Sequence, residues 1–480
     1  MFKVQSKHII CSLLIPFLLG TTSAFSADES LRSDLDEAMT KAYQNKIQWD
    51  GDYTGFADSY AEENLISKTK DDRWGVLRHR LRLSMKAEPN EFFRFSGRLA
   101  AYKNMPVLET YESLTPTGTL GVVPDTTYST FRPTSDAHLR IDRLYMDFFP
   151  GAKWLSFSFG IFPNTEGLPS DLTRVQPRKS TYPNMLFNRA FSAAVVALHP
   201  SQLVEAIPEL HFWYIYSHGY DPAVTNQLGY NVREATQFTV KNRGHLHVFV
   251  SEFSPKVNFA EKFTVSAGYA TIVDYTLRKD AYVLGALRSY GVEAKENLDI
   301  GNIDRLAVHM QVEHIARTGL NLYLGFATTP LQSGEFHEFG NKSRLGLFGT
   351  IHGDNRWGKA VLAGLTYDFN RINSWLGAPS IGYDLYAADK NYFGQYTSAD
   401  EVTSRLDLLG VSHKFFYTQP ITEDIRFHLS YILIKEKYNS SLVEIYVPST
   451  VPGSPLVDVN GVSRGGRNLH AIQASFTVGF

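Results

Sequence analysis

The sequence predicts an all-β fold: a single transmembrane antiparallel β-barrel of sixteen strands, preceded by a short periplasmic helix. Three observations carry this. Apolar and polar residues alternate with a period of two along segments of about ten residues or more, the length a tilted membrane strand needs. The connections between these segments alternate between short and long. The last segment alternates up to an aromatic residue, Phe480.

Composition excludes the main competitors. Of the 480 residues, 43% are hydrophobic and 20% charged, which is too apolar for a disordered chain. A spanning helix needs about 18 apolar residues. The densest apolar stretch is Ile9 to Leu19, and the next, Phe191 to Leu198, is shorter still. Aromatics reach 13%, with 26 Tyr and 32 Phe, residues that favour strands. The formal charge of −2 offers no polybasic face to nucleic acid.

The elements follow in order. Residues 1–26 read as a secretory signal: Lys3 and Lys7, the apolar Ile9–Leu19, then Ala24-Phe25-Ser26 as a cleavage site. Cys11, the single cysteine, falls inside it, so the mature chain has no disulfide and no cysteine-ligated metal. Removing Lys3 and Lys7 takes 47 basic residues to 45 against 49 acidic, a mature charge of −4. Leu31, Leu35, Met39 and Tyr43 recur every four positions, which predicts an amphipathic periplasmic helix within 27–46.

From residue 47 to 480 the period is two. Leu81, Leu83, Met85 and Ala87 alternate with Arg80, Arg82, Ser84 and Lys86. Phe93, Phe95, Gly97 and Leu99 alternate with Arg94, Ser96 and Arg98. The same pattern returns around Leu155–Ile161, Leu306–Val312, Val361–Phe369 and Ile425–Leu433. Arginine and glutamate sit at mid-strand on the polar face, where a packed core would not accept them unpaired. Short turns are expected at 88–91, 150–153, 200–208, 254–261, 316–319, 371–377 and 419–423. Long loops are expected near 60–73, 103–137, 163–186, 217–242, 274–302, 331–358, 389–404 and 438–466. Seven turns and eight loops separate sixteen strands, with both ends of the barrel segment on the periplasmic side. Arg344–His352 would make a seventeenth strand; barrel parity folds it into the 331–358 loop, and eighteen strands is the alternative count. In the final strand Ile472, Ala474, Phe476, Val478 and Phe480 form one apolar face. Phe476 and Phe480 are therefore the expected assembly signal, read by the barrel assembly machinery.

A resemblance rests on Phe159-Gly160-Ile161-Phe162-Pro163, Glu166 to Leu172, and Pro177-Arg178-Lys179-Ser180-Thr181-Tyr182-Pro183. Arg140 to Phe148 and Gln419-Pro420-Ile421 add to it. With these the chain resembles an uncharacterised family of Gram-negative outer-membrane porins, a domain of unknown function, over most of its length after residue 46. The resemblance implies a barrel with a pore, and names no solute. In sixteen-stranded porins the loop of this rank folds inward, so the loop at 163–189 is expected to narrow the lumen; the other reading is an exposed lid.

No catalytic constellation is expected. Gly353 to Ala360 falls one residue short of a phosphate-binding loop, because Ala360 replaces the Ser or Thr that would hold Mg²⁺. Asp389, Asn391, Gly394 and Asp400 follow calcium-loop spacing, but Phe393 occupies a ligand position. His245 and His247 share a strand face, as do His309 and Gln311, with no third ligand, so no metal and no cofactor are expected.

The chemistry expected is electrostatic. Arg78, Arg80 and Arg82, with Arg94 and Arg98 beside them, form a basic ladder; Arg143, Asp147, Arg305 and Glu313 also line the pore. In a water-filled lumen the ladder favours anions. The other reading pairs these arginines with Asp142, Asp147 or Glu313 into local neutrality. The constriction loop brings Glu166, Asp171, Arg174, Arg178, Lys179 and Arg189 into play, stiffened by Pro163, Pro169 and Pro177. His79 falls on the lipid-facing parity, as does His413, so either an interface or a bulge is expected there; His314 fits the periplasmic interface.

The functional expectation is an outer-membrane porin for passive diffusion of small hydrophilic solutes, leaning toward anions, without catalysis. Its expected partners are outer-membrane lipid, the assembly machinery and a homotrimer of its own kind. The alternatives are an adhesin or receptor with a closed lumen that acts through its long loops, and an outer-membrane enzyme with a Ser/His/acid cluster at one rim.

Overall fold

A computed structural model describes residues 47–64, 70–105, 138–151, 154–164, 167–174, 178, 180, 182–187, 189–204, 208–220, 244–277, 298–331, 334–336, 343–347, 356–369, 378–389, 392, 405–438, 443–446, 457–458 and 467–480. The expected signal and helix lie outside these.

The strands are β1 Ile47–Asn64, β2 Lys70–Asn90, β3 Phe93–Met105, β4 His138–Phe148, β5 Leu155–Asn164, β6 Arg189–Leu198, β7 Glu209–Tyr220, β8 Gly244–Ser254, β9 Lys262–Leu277 and β10 Leu298–Glu313. They continue as β11 Leu320–Leu331, β12 Gly334–Phe336, β13 Ser343–Leu347, β14 Arg356–Asp368, β15 Ser380–Ala388, β16 Leu409–Pro420, β17 Ile425–Tyr438, β18 Val443–Tyr446, β19 Val457–Asp458 and β20 Arg467–Gly479. Sixteen of them, β1 to β11, β14 to β17 and β20, close a barrel in chain order. The seam is an antiparallel ladder from Asp52↔Gly479 to Asn64↔Arg467. Gly51 and Phe480 finish it, exchanging backbone bonds of 2.9 and 3.0 Å.

The other four strands form a small sheet in the order β12-β13-β18-β19. This answers the seventeenth-strand question. Arg344 does lie in a strand, but that strand pairs with β18 of the 438–466 loop and not with the barrel wall.

The seven short connections fall where the sequence places them, and polar side chains close several. Asn90 Oδ1 accepts from the backbone N–H of Phe92 and Phe93 at 2.9 and 3.0 Å. Thr422 Oγ1 accepts from that of Ile425 at 3.0 Å. Two long-side connections are shorter than expected: β9 and β10, 16 residues each, leave 278–297 in place of 274–302. The first long-side connection is only 65–69, because β1 and β2 run 18 and 21 residues. Alternation is imposed only inside the lipid band; beyond it the backbone ladder continues through polar residues such as Glu62 and Asn64.

Outward residues form an exposed apolar band that includes Leu81, Phe95, Leu144, Phe159, Leu322, Leu365, Phe415 and Ile472. Such a band is stable only against hydrocarbon, as in a transmembrane barrel. His79 keeps its outward place without a bulge, since β2 stays in step with β3 from Leu77↔Met105 to Ala87↔Phe95. The bulge falls elsewhere: Arg98↔Arg143 is followed by Leu99↔Ile141, and Asp142 is the extra residue on β4. Next to it Gly160 has φ +137°, and a Cβ there would sit 2.2 Å from the Leu144 carbonyl oxygen. Only glycine fits this close approach of β5 to β4.

Inside the barrel, part of the wall is apolar. Leu246, Val248, Ile272, Leu362, Ile432 and Leu469 point inward and are buried in one cluster with Leu172, Tyr182, Met185, Leu186 and Phe187. The segment between β5 and β6 therefore packs onto the inner wall.

Candidate functional site

The basic wall comes first. On β2 the side chains of Arg78, Arg80 and Arg82 turn inward on alternate positions, and all three are buried. Arg98 on β3 lies opposite Ser84 and Arg143, and Arg94 lies opposite Asp147. Two of these arginines pair with acids on β1 that the sequence reading did not name. Arg78 is ion-paired with Asp58, which also accepts from Gln473 Nε2 at 2.9 Å. Arg80 Nη2 donates to Asp52 at 2.8 Å and to Thr54 Oγ1 at 2.9 Å. Both guanidinium groups stand over the Phe56 ring, at 4.6 and 5.7 Å. β1 and β2 are consecutive neighbours in the wall, so local pairing answers part of the ladder's charge. Arg94 sits at the rim, 2.8 Å from Glu88. Asp147 accepts from Ser158 at 2.6 Å. The side chain of Asp142 lies outside the described residues.

The inward segment is built as a latch. It contains one short helix, α1 Ser170–Arg174. A parallel bridge, Leu168↔Pro183, closes it on itself, and Asn184 N–H donates to the Leu168 carbonyl at 3.0 Å. Several bonds among the described residues tie it down. Arg178 donates to Glu252 on β8 at 2.7 Å. Gln311 on β10 donates to Asp171 at 2.9 Å and to Glu313 at 3.0 Å. Arg305 donates to the Leu186 carbonyl at 2.9 Å, and its guanidinium lies 5.9 Å from the Phe187 ring. Tyr392 donates to the Met185 carbonyl at 3.4 Å.

Two wall glycines form the seat. A Cβ on Gly268 would lie 2.3 Å from Leu186 Cδ2, and one on Gly325 would lie 2.8 Å from Met185 Sδ. Each missing side chain is the recess that admits a loop side chain. Burial pushes the Tyr182 hydroxyl above its ordinary range, so it stays a neutral donor.

Of the expected constriction residues, Asp171 and Arg178 thus bond to the wall, and Arg174 ends α1, half-buried. The side chains of Glu166, Lys179 and Arg189 lie outside the described residues. Arg305 and Glu313 are brought to the latch, Arg305 directly and Glu313 through Gln311. His309, buried against the Tyr323 ring at 6.2 Å, lies under Met185.

Sequence reasoning missed a second clamp. Arg405 binds Asp384 of β15 through both nitrogens, at 2.6 and 2.8 Å, and Tyr323 donates to the same carboxylate at 3.1 Å. Tyr386 donates to the Leu406 carbonyl at 3.1 Å. Residues 405–408 are therefore also held to the inner wall. Asp384 on the polar parity of β15 was a visible signal; Arg405 carried none. Of the calcium-like set, Asp389 accepts from the Lys359 N–H at 3.0 Å, while Asn391, Gly394 and Asp400 lie outside the described residues. Of the phosphate-loop match, residues 356–360 are barrel strand, with Ala360 buried inward. Among the described residues no three His, Cys, Asp or Glu side chains converge as a metal site.

The model of the family described as "Protein of unknown function (DUF3373)" matches residues 70–477. The chain belongs to this family. The match runs from the start of β2 into β20 and includes the arginine wall, the latch and the second clamp. Among solved structures, the Pseudomonas putida OprB barrel aligns at TM-score 0.51 and 11% identity, over 93% of this chain and 97% of that one. Salmonella typhi OmpF, in a complex with daunomycin, aligns at 0.42 and 11% identity, over 90% and 97%. A mutant Rh. blastica porin aligns at 0.40 and 9% identity, over 90% and 100%. At these identities the OprB likeness speaks for the fold. No curated protein matches the chain.

Proposed function

We propose that this protein is an outer-membrane porin, passing small hydrophilic solutes by passive diffusion and catalysing nothing. The observation that carries the reading is the pairing of a closed sixteen-strand barrel with an inward segment latched at fixed points on its wall. Such a segment sets the width of a passage without needing to move. The latch gathers on β8 to β11, so the passage runs along the β1–β4 side, where Arg78, Arg80, Arg82, Arg94, Arg98 and Arg143 stand with Asp52, Asp58 and Asp147. Among these nine side chains cations exceed anions by six to three, which supports a lean toward anions. Residues 1–26 direct export, and 27–46 form a periplasmic helix. The terminal Phe476 and Phe480 serve recognition by the assembly machinery, and the barrel works as a homotrimer.

The test is single-channel conductance of the purified, refolded protein in a planar bilayer, with the reversal potential under a salt gradient. Steady conducting steps with an anion-selective potential are expected. A second reading is favoured by the apolar cluster inside the barrel: a closed lumen, with the long loops acting as receptor or adhesin. A folded barrel that never conducts would replace the first reading by the second.

A further inference from the structure

Outside the lumen one arrangement recurs. Tyr216 and His245, Tyr214 and His247, Tyr383 and His413, and Tyr431 and His470 all face outward from the barrel. In each pair the tyrosine oxygen lies against histidine Nδ1, at 2.8, 2.8, 2.8 and 3.2 Å. The rings of the first three pairs stack, with centroids 5.9, 6.1 and 6.1 Å apart.

Three of the pairs share one offset. Opposite His413 stands Leu385, opposite His470 stands Leu433, and opposite His247 stands Tyr216. In these the bonded tyrosine is therefore two residues nearer the short-turn rim, reaching up to a histidine nearer the long-loop rim; His245 lies at a register shift between β7 and β8. Below the histidines on their own strands come Phe249, Phe415 and Ile472, the start of the apolar band. The histidines thus cap that band on its outer side.

The chemistry follows from the donor inventory. A phenol O–H is a better acid than an imidazole N–H, so the tyrosine donates to Nδ1 and the proton stays on Nε2. That fixes the tautomer and leaves an N–H donor at the edge of hydrocarbon, where a polar group without a partner is costly. Among the described residues nothing in the protein accepts from Nε2 of these four histidines. The tyrosines also hold the rings still, so little freedom remains to lose on binding.

Resting on the outer-membrane reading, we infer that this tyrosine–histidine belt is a docking surface for phosphate-bearing lipid headgroups of the outer leaflet, with each Nε2–H donating to a phosphate oxygen. The phosphate of a glycolipid is the strongest acceptor at that depth, and a charged acceptor roughly doubles the strength of such a bond.

The test uses the full, folded barrel in zwitterionic detergent micelles, with lipid A and its enzymatically dephosphorylated form as probes, and bound lipid counted by native mass spectrometry. Lipid A should bind, and the dephosphorylated form should bind markedly less. The quadruple variant H245Q/H247Q/H413Q/H470Q should bind lipid A at least about tenfold more weakly, as expected for several lost hydrogen bonds. The variant Y214F/Y216F/Y383F/Y431F keeps every ring but releases the histidines, and should fall between. Equal binding of the two lipids, or wild-type affinity in the histidine variant, overturns the proposal. Conductance reports separately on the porin reading: these side chains face outward, so the histidine variant conducts as the wild type does. A wild type that binds lipid A but never conducts would sink the pore and leave the belt.

Discussion

Arg80 shows how one residue carries both fold and proposed selectivity. Its guanidinium is buried, 2.8 Å from Asp52, and reaches Thr54 and the Phe56 ring. Replacing Arg80 and Arg98 with glutamate would set two acids against Asp52 and Asp58. The reversal potential should move toward cations, and the barrel should lose about 3–5 kcal/mol at Arg80, the cost of leaving a buried partner unpaired. An unchanged reversal potential in a folded double variant would remove the wall from the selectivity argument. His199 offers a second test, in the short connection between β6 and β7. Its Nδ1 lies 2.7 Å from that of His211, so one ring must donate and the other accept. Burial, then the neighbouring His211, holds the His199 pKa below its ordinary value. A depressed histidine contributes stability that is full above the unfolded value of about 6.5 and is lost as pH falls through the folded one. The urea midpoint should therefore drop on acidification below about pH 6.5. His199→Gln should flatten that dependence, and an equally steep profile in the variant would dismiss the pair.

At the scale of elements, the strands were legible in the sequence and the inward segment was legible only in part. Alternation is a local property, because each strand meets lipid on one side whatever its neighbours are. The turns, and the strand count to within sixteen or eighteen, could thus be read from the sequence, while the register of β2 with β3 decides that His79 faces outward without a bulge. The latch could not be read there. Gln311 reaches Asp171 across 140 positions, and Tyr392 reaches Met185 across 207. In β8 polarity even points the wrong way: His245 and His247 face out while Leu246, Val248 and Val250 face in, because the inward segment needs an apolar seat. Gly268 tests that seat. Gly268→Phe should eject Leu186, forfeiting about 1.5–3 kcal/mol of side-chain burial, and loosen the segment. Single-channel conductance should rise; a folded variant with wild-type conductance would show that the segment does not narrow the path.

For the whole molecule, closure is the decisive event. The seam joins β1 to β20 over thirteen register pairs and ends in the paired backbone bonds of Gly51 and Phe480. Removing Phe480 takes away the last of these bonds and an exposed aromatic at the short-turn rim. The expected outcome is a lower yield of folded barrel in the outer membrane, scored by heat-modifiable mobility on a gel. Wild-type yield after the deletion would leave the seam sufficient without it.

The sequence by itself determined that this chain makes a membrane barrel, of sixteen strands with eighteen as the alternative, because the bilayer imposes a period of two, a minimum strand length and an even parity on any chain that crosses it this way. It also determined which arginines share a face. Only the tertiary structure decided what those arginines meet and which face of β8 turns inward. Gln473 reaches Asp58 because closure sets β20 beside β1, and Arg405 finds Asp384 because part of a long connection folds onto the inner wall. A partner chosen by closure has no signature at either residue, so local pattern names the wall and three dimensions name its contacts.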